Sequence, residues 1–348
     1  MTRTAQSGEQ LVHLYSPDGS HWNTQIVATA PLTPVNLVTT SYRGSVHAYW
    51  TELRGRVWRS LLTPDGFSPP TELRWAADTR VLQSTYYMHP GTSAPEPVLY
   101  GLSTDRHSAG TGLWVRTLHG RPDRYILPGH YALTEHDRAT GIKLSMTGRR
   151  SWVLDTTHNG FLRRWDGTAG CAVSGGLTYI MAQVPASRVI GTCSPAHLHC
   201  PTPLFLSDGR LYLWHPQLGP VPCTTISDRV TDAAAVERTD GQSLVFLSNA
   251  DGRLSVTRQL SVQPLDPKWG YSRIIARDLP AAGRQLVALT HPNQVPALFT
   301  VGTDEISLFV PSAILPGRPY SEVRTSWTRK VVPAGALVAS GLITPHVA

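Results

Sequence analysis

The chain has 348 residues and a formal charge of +7 from 31 Lys and Arg against 24 Asp and Glu, yet only 16% of it is charged. No apolar run approaches the roughly 20 residues of a membrane span and no apolar leader core precedes the first strand-like segment, so the sequence predicts a soluble cytoplasmic protein with no membrane partner. Its 29 Gly and 28 Pro interrupt the chain every few residues, which excludes long helices and leaves short strands as the building unit.

In chain order, Leu11 to Tyr15, the turn Pro17-Asp18-Gly19 and Trp22 to Val27 come first and read as a hairpin with no inner strand of its own. Seven apolar strand-like segments then recur, centred on Leu37, Leu82, Leu133, Val189, Ala235, Leu286 and Leu337, at spacings of 45 to 56 residues. A period of about fifty residues is that of a propeller blade. Each of the first six is followed by a second apolar run, around Ala48, Leu99, Val153, Phe205, Val245 and Leu298, then by a polar or Gly turn and a third strand. Leu204-Phe205-Leu206, Ser207-Asp208-Gly209 and Arg210 to Trp214 give the clearest hairpin, with Asp-Gly between apolar runs. The last segment, Leu337 to Leu342, lacks such a follow-on, and the N-terminal hairpin supplies it.

The predicted fold is therefore all-β: one seven-bladed β-propeller domain over 1–348, its ring closed by N- and C-terminal strands sharing a blade. The blades run over about 334–348 plus 8–30, 31–73, 74–127, 128–180, 181–228, 229–277 and 278–333. Closure removes the two open ends that a row of sheets would leave.

Cys171, Cys193, Cys200 and Cys223 all lie in the middle of the chain, unlike the even stapling of a small secreted fold, and reduced thiols are expected. Cys193, His197, His199 and Cys200 gather four soft-metal ligands within eight residues. Their spacing fits no familiar structural zinc pattern, and the prediction is no metal; a Cys193–Cys200 disulfide is the alternative in an oxidising compartment. The basic residues are scattered, with Arg149-Arg150 and Arg163-Arg164 only pairs, so no nucleic-acid partner is predicted.

In a propeller, the loops leading into the inner strands and the turns between second and third strands converge on one axial mouth. The loops bring Asp78, Arg80, His130, Tyr131, Tyr179, Arg188, Asp228, Asp232 and Arg284 there. His130 and Tyr131 suit proton transfer, as neutral imidazole accepts a proton near physiological pH and a phenol donates one. Arg80 and Arg284 suit a carboxylate, enolate or phenolate, whose charge a guanidinium stabilises through paired hydrogen bonds. With Asp232 these form the expected catalytic set, and Asp78, Tyr179, Arg188, Asp228 and His158 the expected substrate-binding set. The turns add Arg56, Asp105, His107, Asp208, Asp251 and Asp304, most of them structural because Asp tolerates left-handed backbone. At the opposite mouth lie Tyr86, Tyr87, His89, Glu135-His136-Asp137 and His291. Adjacent strand residues point to opposite faces, so Glu135, His136 and Asp137 form no triad. No nucleophile elbow, phosphate loop, dinucleotide fingerprint or His-Glu-x-x-His occurs, which argues against familiar hydrolases and nucleotide enzymes.

Ser151 to Asp155 running through His158-Asn159-Gly160 to Phe161 to Trp165, and Leu244 to Arg258, resemble blades of bacterial and fungal lectin-type propellers. The resemblance implies the fold, and in those lectins near-identical sugar pockets lie between successive blades. Here the turns differ: Pro17-Asp18-Gly19-Ser20, Leu53-Arg54-Gly55-Arg56, a long excursion from Thr104 to Gly112, and Gly302-Thr303-Asp304-Glu305. Repeats that keep apolar spacing while losing polar identity leave function to a single asymmetric site. The chain is also similar, at fold level, to lectin-like propeller enzymes of natural-product biosynthesis. That similarity implies a cofactor-independent small-molecule enzyme of secondary metabolism working in the axial pocket: a cyclase (pericyclase or hetero-Diels-Alderase), lyase or isomerase. The alternatives are a carbohydrate-binding lectin, for which Trp58, Trp114, Trp165 and Trp214 recur in third strands, and a protein-interaction scaffold. The expected partner is a small-molecule substrate, the expected cofactor none, and the oligomeric state is open.

Overall fold

Apolar runs separated by Gly, Asp and Asn turns favour hairpins, and hairpins make up the computed structural model of this chain. It describes residues 4–5, 8–16, 21–29, 34–42, 45–52, 54–74, 79–87, 96–105, 110–117, 124–125, 139–147, 151–158, 161–168, 178–181, 188–193, 202–215, 219–223, 229–237, 243–259, 270, 272–277, 279, 285–290, 296–302, 305–312 and 326–332.

Among these residues the strands form seven antiparallel sheets. The first has three strands, in the order β1 (Thr4–Ala5), β2 (Gly8–Tyr15), β3 (Asn23–Thr29). The second runs β4 (Pro34–Tyr42), β5 (Ser45–Glu52), β6 (Val57–Thr63), β7 (Gly66–Phe67), and β8 (Thr71–Glu72) also pairs with β6. Five four-stranded sheets follow, each in chain order. The third sheet holds β9 (Thr79–Tyr87), β10 (Glu96–Asp105), β11 (Gly110–Thr117) and β12 (Arg124–Tyr125). The fourth holds β13 (Ala139–Thr147), β14 (Ser151–His158), β15 (Phe161–Thr168) and β16 (Thr178–Met181). The fifth holds β17 (Arg188–Cys193), β18 (Thr202–Ser207), β19 (Arg210–His215) and β20 (Gly219–Pro222). The sixth holds β21 (Val230–Glu237), β22 (Ser243–Asn249), β23 (Leu254–Arg258) and β24 (Arg273–Ala276). The seventh holds β25 (Gln285–Thr290), β26 (Pro296–Val301), β27 (Ile306–Pro311) and β28 (Trp327–Val332).

The chain divides into two compact units, one of residues 1–154, 165–178 and 342–348, the other of 155–164 and 179–341. Within the first, β9 lies beside β4 and β13; within the second, β21 lies beside β17 and β25. In both, the first strand of a sheet adjoins the first strands of its neighbours, which is the place of inner strands in a propeller.

Burial follows from this stacking. Every residue of β22 is buried, while β28 is mostly exposed or half-buried, so cover decreases from the second strand outward. Along β22 the side chains alternate between two cores, as the two-residue period of a strand requires. Val245 and Leu247 pack with Leu204, Leu206, Leu211 and Leu213 of the fifth sheet. Leu244 and Phe246 pack with Leu286, Leu298 and Phe309 of the seventh. A strand covered on both faces reads as the unbroken run Leu244-Val245-Phe246-Leu247. In the first unit, Leu11 and Ala28 of the first sheet pack with Ala48 and Trp50 of the second, and Val38, Tyr49 and Val57 of the second pack with Leu99 of the third.

One expected inner strand is displaced. The segment centred on Leu133 lies outside the described residues, and the first strand of that sheet is Ala139–Thr147. There Ile142, Leu144 and Met146 alternate with Gly141, Lys143 and Ser145, the period-2 pattern of a half-covered strand. Leu337 also lies outside the described residues.

Candidate functional site

A repeated backbone device builds the end of the sheets at which the inner strands begin. In three sheets the turn between second and third strands carries a glycine in left-handed conformation: Gly55 (φ 80°), Gly209 (φ 72°) and Gly252 (φ 81°). The carbonyl of each of these glycines then accepts a hydrogen bond from the segment leading into the next sheet. Gly55 O accepts from Thr79 N at 3.0 Å, Gly209 O from Val230 N at 2.7 Å and Gly252 O from Leu279 N at 3.2 Å. A Cβ on Gly252 would lie 2.6 Å from Leu279 O, so only glycine permits this approach. Among the described residues, Asp208 (φ 43°) is the non-glycine residue in the same conformation, the structural role expected of a turn Asp.

Among the described residues, four inner strands leave one residue out of the ladder near their start. Pro34 and Asn36 oppose Glu52 and Thr51, leaving out Val35; Thr79 and Val81 oppose Ser103 and Leu102, leaving out Arg80. Val189 and Gly191 oppose Phe205 and Leu204, leaving out Ile190; Val230 and Asp232 oppose Asn249 and Ser248, leaving out Thr231. Such bulges re-aim side chains and bend the strand at the rim of a sheet. The backbone repeats, but the chemistry does not: Val35, Ile190 and Thr231 are neutral, and Arg80 is charged.

The bulge at Arg80 follows Thr79, the residue hydrogen-bonded to the Gly55 turn, and Arg56 follows that glycine. Arg56 Nε donates to Glu52 Oε1, and Nη2 donates to Glu52 Oε2 at 3.1 Å. Glu52 is 3% exposed, so its charge is held inside by this two-pronged pair. The Glu52 hydrogen bond, against some desolvation and with Glu72 nearby, keeps the Arg56 guanidinium above its usual pKa. The guanidinium carbon lies 5.3 Å from the Trp58 ring centroid, within cation–π range.

Trp58 holds a repeated position. The first residue after the bulge aligns across the sheet as Asn36–Thr51–Val57, Val81–Leu102–Leu113 and Gly191–Leu204–Leu213. Trp58, Trp114 and Trp214 each follow the last residue of these rows. In the sixth sheet the row is Asp232–Ser248–Leu254 and Ser255 follows. Trp58 packs on the Leu11, Ala28, Ala48 and Trp50 cluster, and Trp214 on Val189 and Phe205, so both contribute to packing.

Asp232 is the expected catalytic residue whose side chain the structure describes. It lies on β21, not in a loop, and is 6% exposed. Its Oδ1 accepts from Ala233 N at 2.9 Å and its Oδ2 from Leu286 N at 2.7 Å. Oδ2 thus holds β25 beside β21, while Oδ1 caps a backbone N–H of its own strand. Of the other candidates, Arg80 stands at the bulge of β9, Arg188 opens β17, His158 closes β14 and Cys193 closes β17. Tyr179 belongs to β16, the fourth strand of its sheet, rather than to the loop before β17, since Thr178-Tyr179-Ile180-Met181 is itself a β-branched and aromatic run. Asp78, His130, Tyr131, Asp228 and Arg284, with the metal candidates His197, His199 and Cys200, lie outside the described residues. Glu52 and Glu72 were not singled out by sequence; Glu52 pairs with Arg56 four residues on, whereas the corresponding Arg253 pairs with Asp251.

No known protein family matches the chain, and no curated protein does. Solved structures do. AofleA from Arthrobotrys oligospora is similar over 86% of this chain and 86% of its own, at 11% identity and a TM-score of 0.50. The Aleuria aurantia lectin, described as a six-bladed β-propeller with a fucose recognition mode, covers 87% and 96% at 11% identity and a TM-score of 0.48. Virginiamycin B lyase from Staphylococcus aureus, solved with quinupristin, covers 87% and 86% at 12% identity and a TM-score of 0.49. The resemblance to lectin-type propellers holds at the level of fold.

Proposed function

We propose that the seven sheets are the blades of one lectin-type propeller closed by the chain ends, and that the chain is a cofactor-independent small-molecule enzyme of secondary metabolism in the cytoplasm. The reaction class is cyclisation (pericyclic, including hetero-Diels-Alder), elimination or isomerisation. The supporting observation is the contrast at the inner-strand bulges: a shared backbone carries Val35, Ile190 and Thr231 in three sheets and Arg80, beside the Arg56 turn, in one. A fold that repeats geometry and not chemistry suits one asymmetric site better than many equal ones. In this reading Arg80 and Arg284 hold a carbonyl or enolate oxygen as it gains charge, which lowers the barrier only while water is excluded. His130 and Tyr131 move the proton. Asp232 keeps the inner strands in place and touches no substrate.

The test is a thermal-shift screen of acids, phenols and enolisable carbonyl compounds, followed by calorimetry on any ligand found. The proposal expects Arg80→Ala and His130→Ala each to weaken binding or turnover roughly tenfold or more, a loss of about 1.4 kcal/mol, with the melting temperature unchanged. Full binding and turnover in both variants would retire the assignment.

A second reading, a carbohydrate-binding lectin, is favoured by the recurrence of Trp58, Trp114 and Trp214 at one register and by the Arg56–Glu52 pair over Trp58. A guanidinium with spare donors beside an indole is a suitable clamp for a polyol. A sugar panel giving several sites per chain, weakened by Arg56→Ala, would favour this reading over the first.

A further inference from the structure

We propose that Asp208 is a site of spontaneous modification, where the side chain closes on Gly209 N to form a succinimide that reopens as isoaspartate. The structure describes three turns with an Asp-Gly step: Asp65-Gly66, Asp208-Gly209 and Asp251-Gly252. The reaction needs a carboxyl that can turn inward and a glycine N–H free to attack it, and the three turns differ in both. At Asp251 both reactants are held: Gly252 N donates to Asn249 O at 3.1 Å, and the carboxylate accepts from Arg253 N at 3.1 Å and from the Arg253 guanidinium. At Asp65 the glycine is held, since Gly66 is the ladder partner of Thr63, whose hydroxyl also donates to Gly66 O at 2.7 Å. At Asp208 neither is held. Among the described residues Gly209 N makes no hydrogen bond, and the carboxylate, 88% exposed, meets Arg229 at 3.8 Å, too far for a hydrogen bond.

The backbone favours closure as well. Asp208 and Gly209 form a two-residue hairpin loop between the paired Ser207 and Arg210, with φ of 43° and 72°. Positive φ at both positions is the type I′ turn, and type II′, the other common hairpin turn, keeps positive φ at the first. Glycine takes either sign of φ at the second. The peptide between the two residues can therefore rotate Gly209 N toward Cγ of Asp208 without unpairing the strands.

In the reaction Gly209 N attacks Cγ of the protonated carboxyl; the N–Cγ bond forms, and water leaves with the carboxyl hydroxyl and the amide proton. Hydrolysis at the Asp208 main-chain carbonyl returns that water and leaves the chain running through Cβ and Cγ, with no other reactant and no change in mass. The added main-chain carbon enters a turn with little room, where a Cβ on Gly209 would already lie 2.6 Å from Arg229 Cγ. It displaces the carbonyl of Gly209, which accepts from Val230 N at 2.7 Å and ties the fifth sheet to the start of β21, two residues before Asp232. Modification at Asp208 thus loosens the entry of an inner strand.

Peptide mapping of the full chain after prolonged incubation at mildly acidic pH, below its melting temperature, tests this, with isoaspartate located by electron-transfer fragmentation. Isoaspartate is expected to accumulate at Asp208 at least about tenfold faster than at Asp251, the factor that one charge-assisted hydrogen bond is worth. Arg253→Ala, which releases the Asp251 carboxylate, is expected to raise the rate at Asp251 and leave that at Asp208 unchanged. Aged wild type is expected to exchange the Val230 amide faster than fresh protein. Equal rates at Asp208 and Asp251, or no isoaspartate at Asp208, overturn the proposal. A rate at Asp251 indifferent to Arg253 overturns the protection assigned to it, and unaltered exchange at Val230 in modified protein overturns the coupling to β21.

Discussion

Asp232 is a buried carboxylate whose two oxygens accept backbone N–H groups, one from its own strand and one from β25. Asn in its place can accept at one oxygen only and turns an N–H2 toward one of these donors, leaving a buried N–H without an acceptor. Asp232→Asn is therefore expected to lose about 2 kcal/mol of stability in urea unfolding; an unchanged midpoint would deny the carboxylate its framework role. Gly252 makes a sharper case. Ala there must adopt φ 81° and place Cβ 2.6 Å from Leu279 O, so Gly252→Ala should cost at least about 1–2 kcal/mol from the dihedral alone. Gly302→Ala is the control: its nearest contact is Glu305 O at 3.4 Å, and its stability should stay within about 0.5 kcal/mol of wild type. Sequence placed Asp232 in a loop entering an inner strand and in the expected catalytic set, not on the strand itself. Which donors a carboxylate meets depends on the neighbouring sheet, 54 residues further along the chain.

Hairpins were the most legible elements, because Asp208-Gly209 and Asp251-Gly252 carry their turn chemistry locally. The sixth-sheet turn shows how far that locality goes. Partial desolvation pushes the Asp251 carboxyl up, and the Arg253 backbone N–H and guanidinium outweigh it, so its pKa sits below the ordinary value. A group depressed in the folded state contributes stability above its unfolded pKa and loses it as pH falls through the folded one. A carboxyl titration by NMR should place the Asp251 midpoint below about 3.9, and Arg253→Ala should move it upward; a midpoint at the ordinary value would separate the two residues. Bulges were not legible. One extra residue at Val35, Arg80, Ile190 or Thr231 alters pairing with the next strand while the apolar run continues past it, and register is a property of two strands. The displaced strand at Ala139–Thr147 and the placement of Tyr179 in β16 share a cause: period-2 patterns interrupted by Gly or held to four residues fall below what apolar clustering reveals.

At the scale of the whole molecule, the repeat was legible because stacking demands it. Strands covered on both faces must be apolar throughout, as in Leu204-Phe205-Leu206 and Leu244 to Leu247, and such runs recur at the repeat interval. Composition of the loops was not under that demand, which is why the catalytic set rested on loop residues that share no pattern. Ring closure by residues 334–348 is the proposal that concerns the chain ends, and deleting those residues tests it. A closed ring predicts a large drop in melting temperature, since the β2–β3 hairpin loses its inner strand; an unaltered melt would leave the sheets without that closure. The central claim, however, is that a repeated backbone here serves one chemically distinct site. Calorimetric titration of the full chain with its best small-molecule ligand measures this directly. The account predicts one site per chain, lost in Arg80→Ala, and several equal sites that survive that substitution would contradict it.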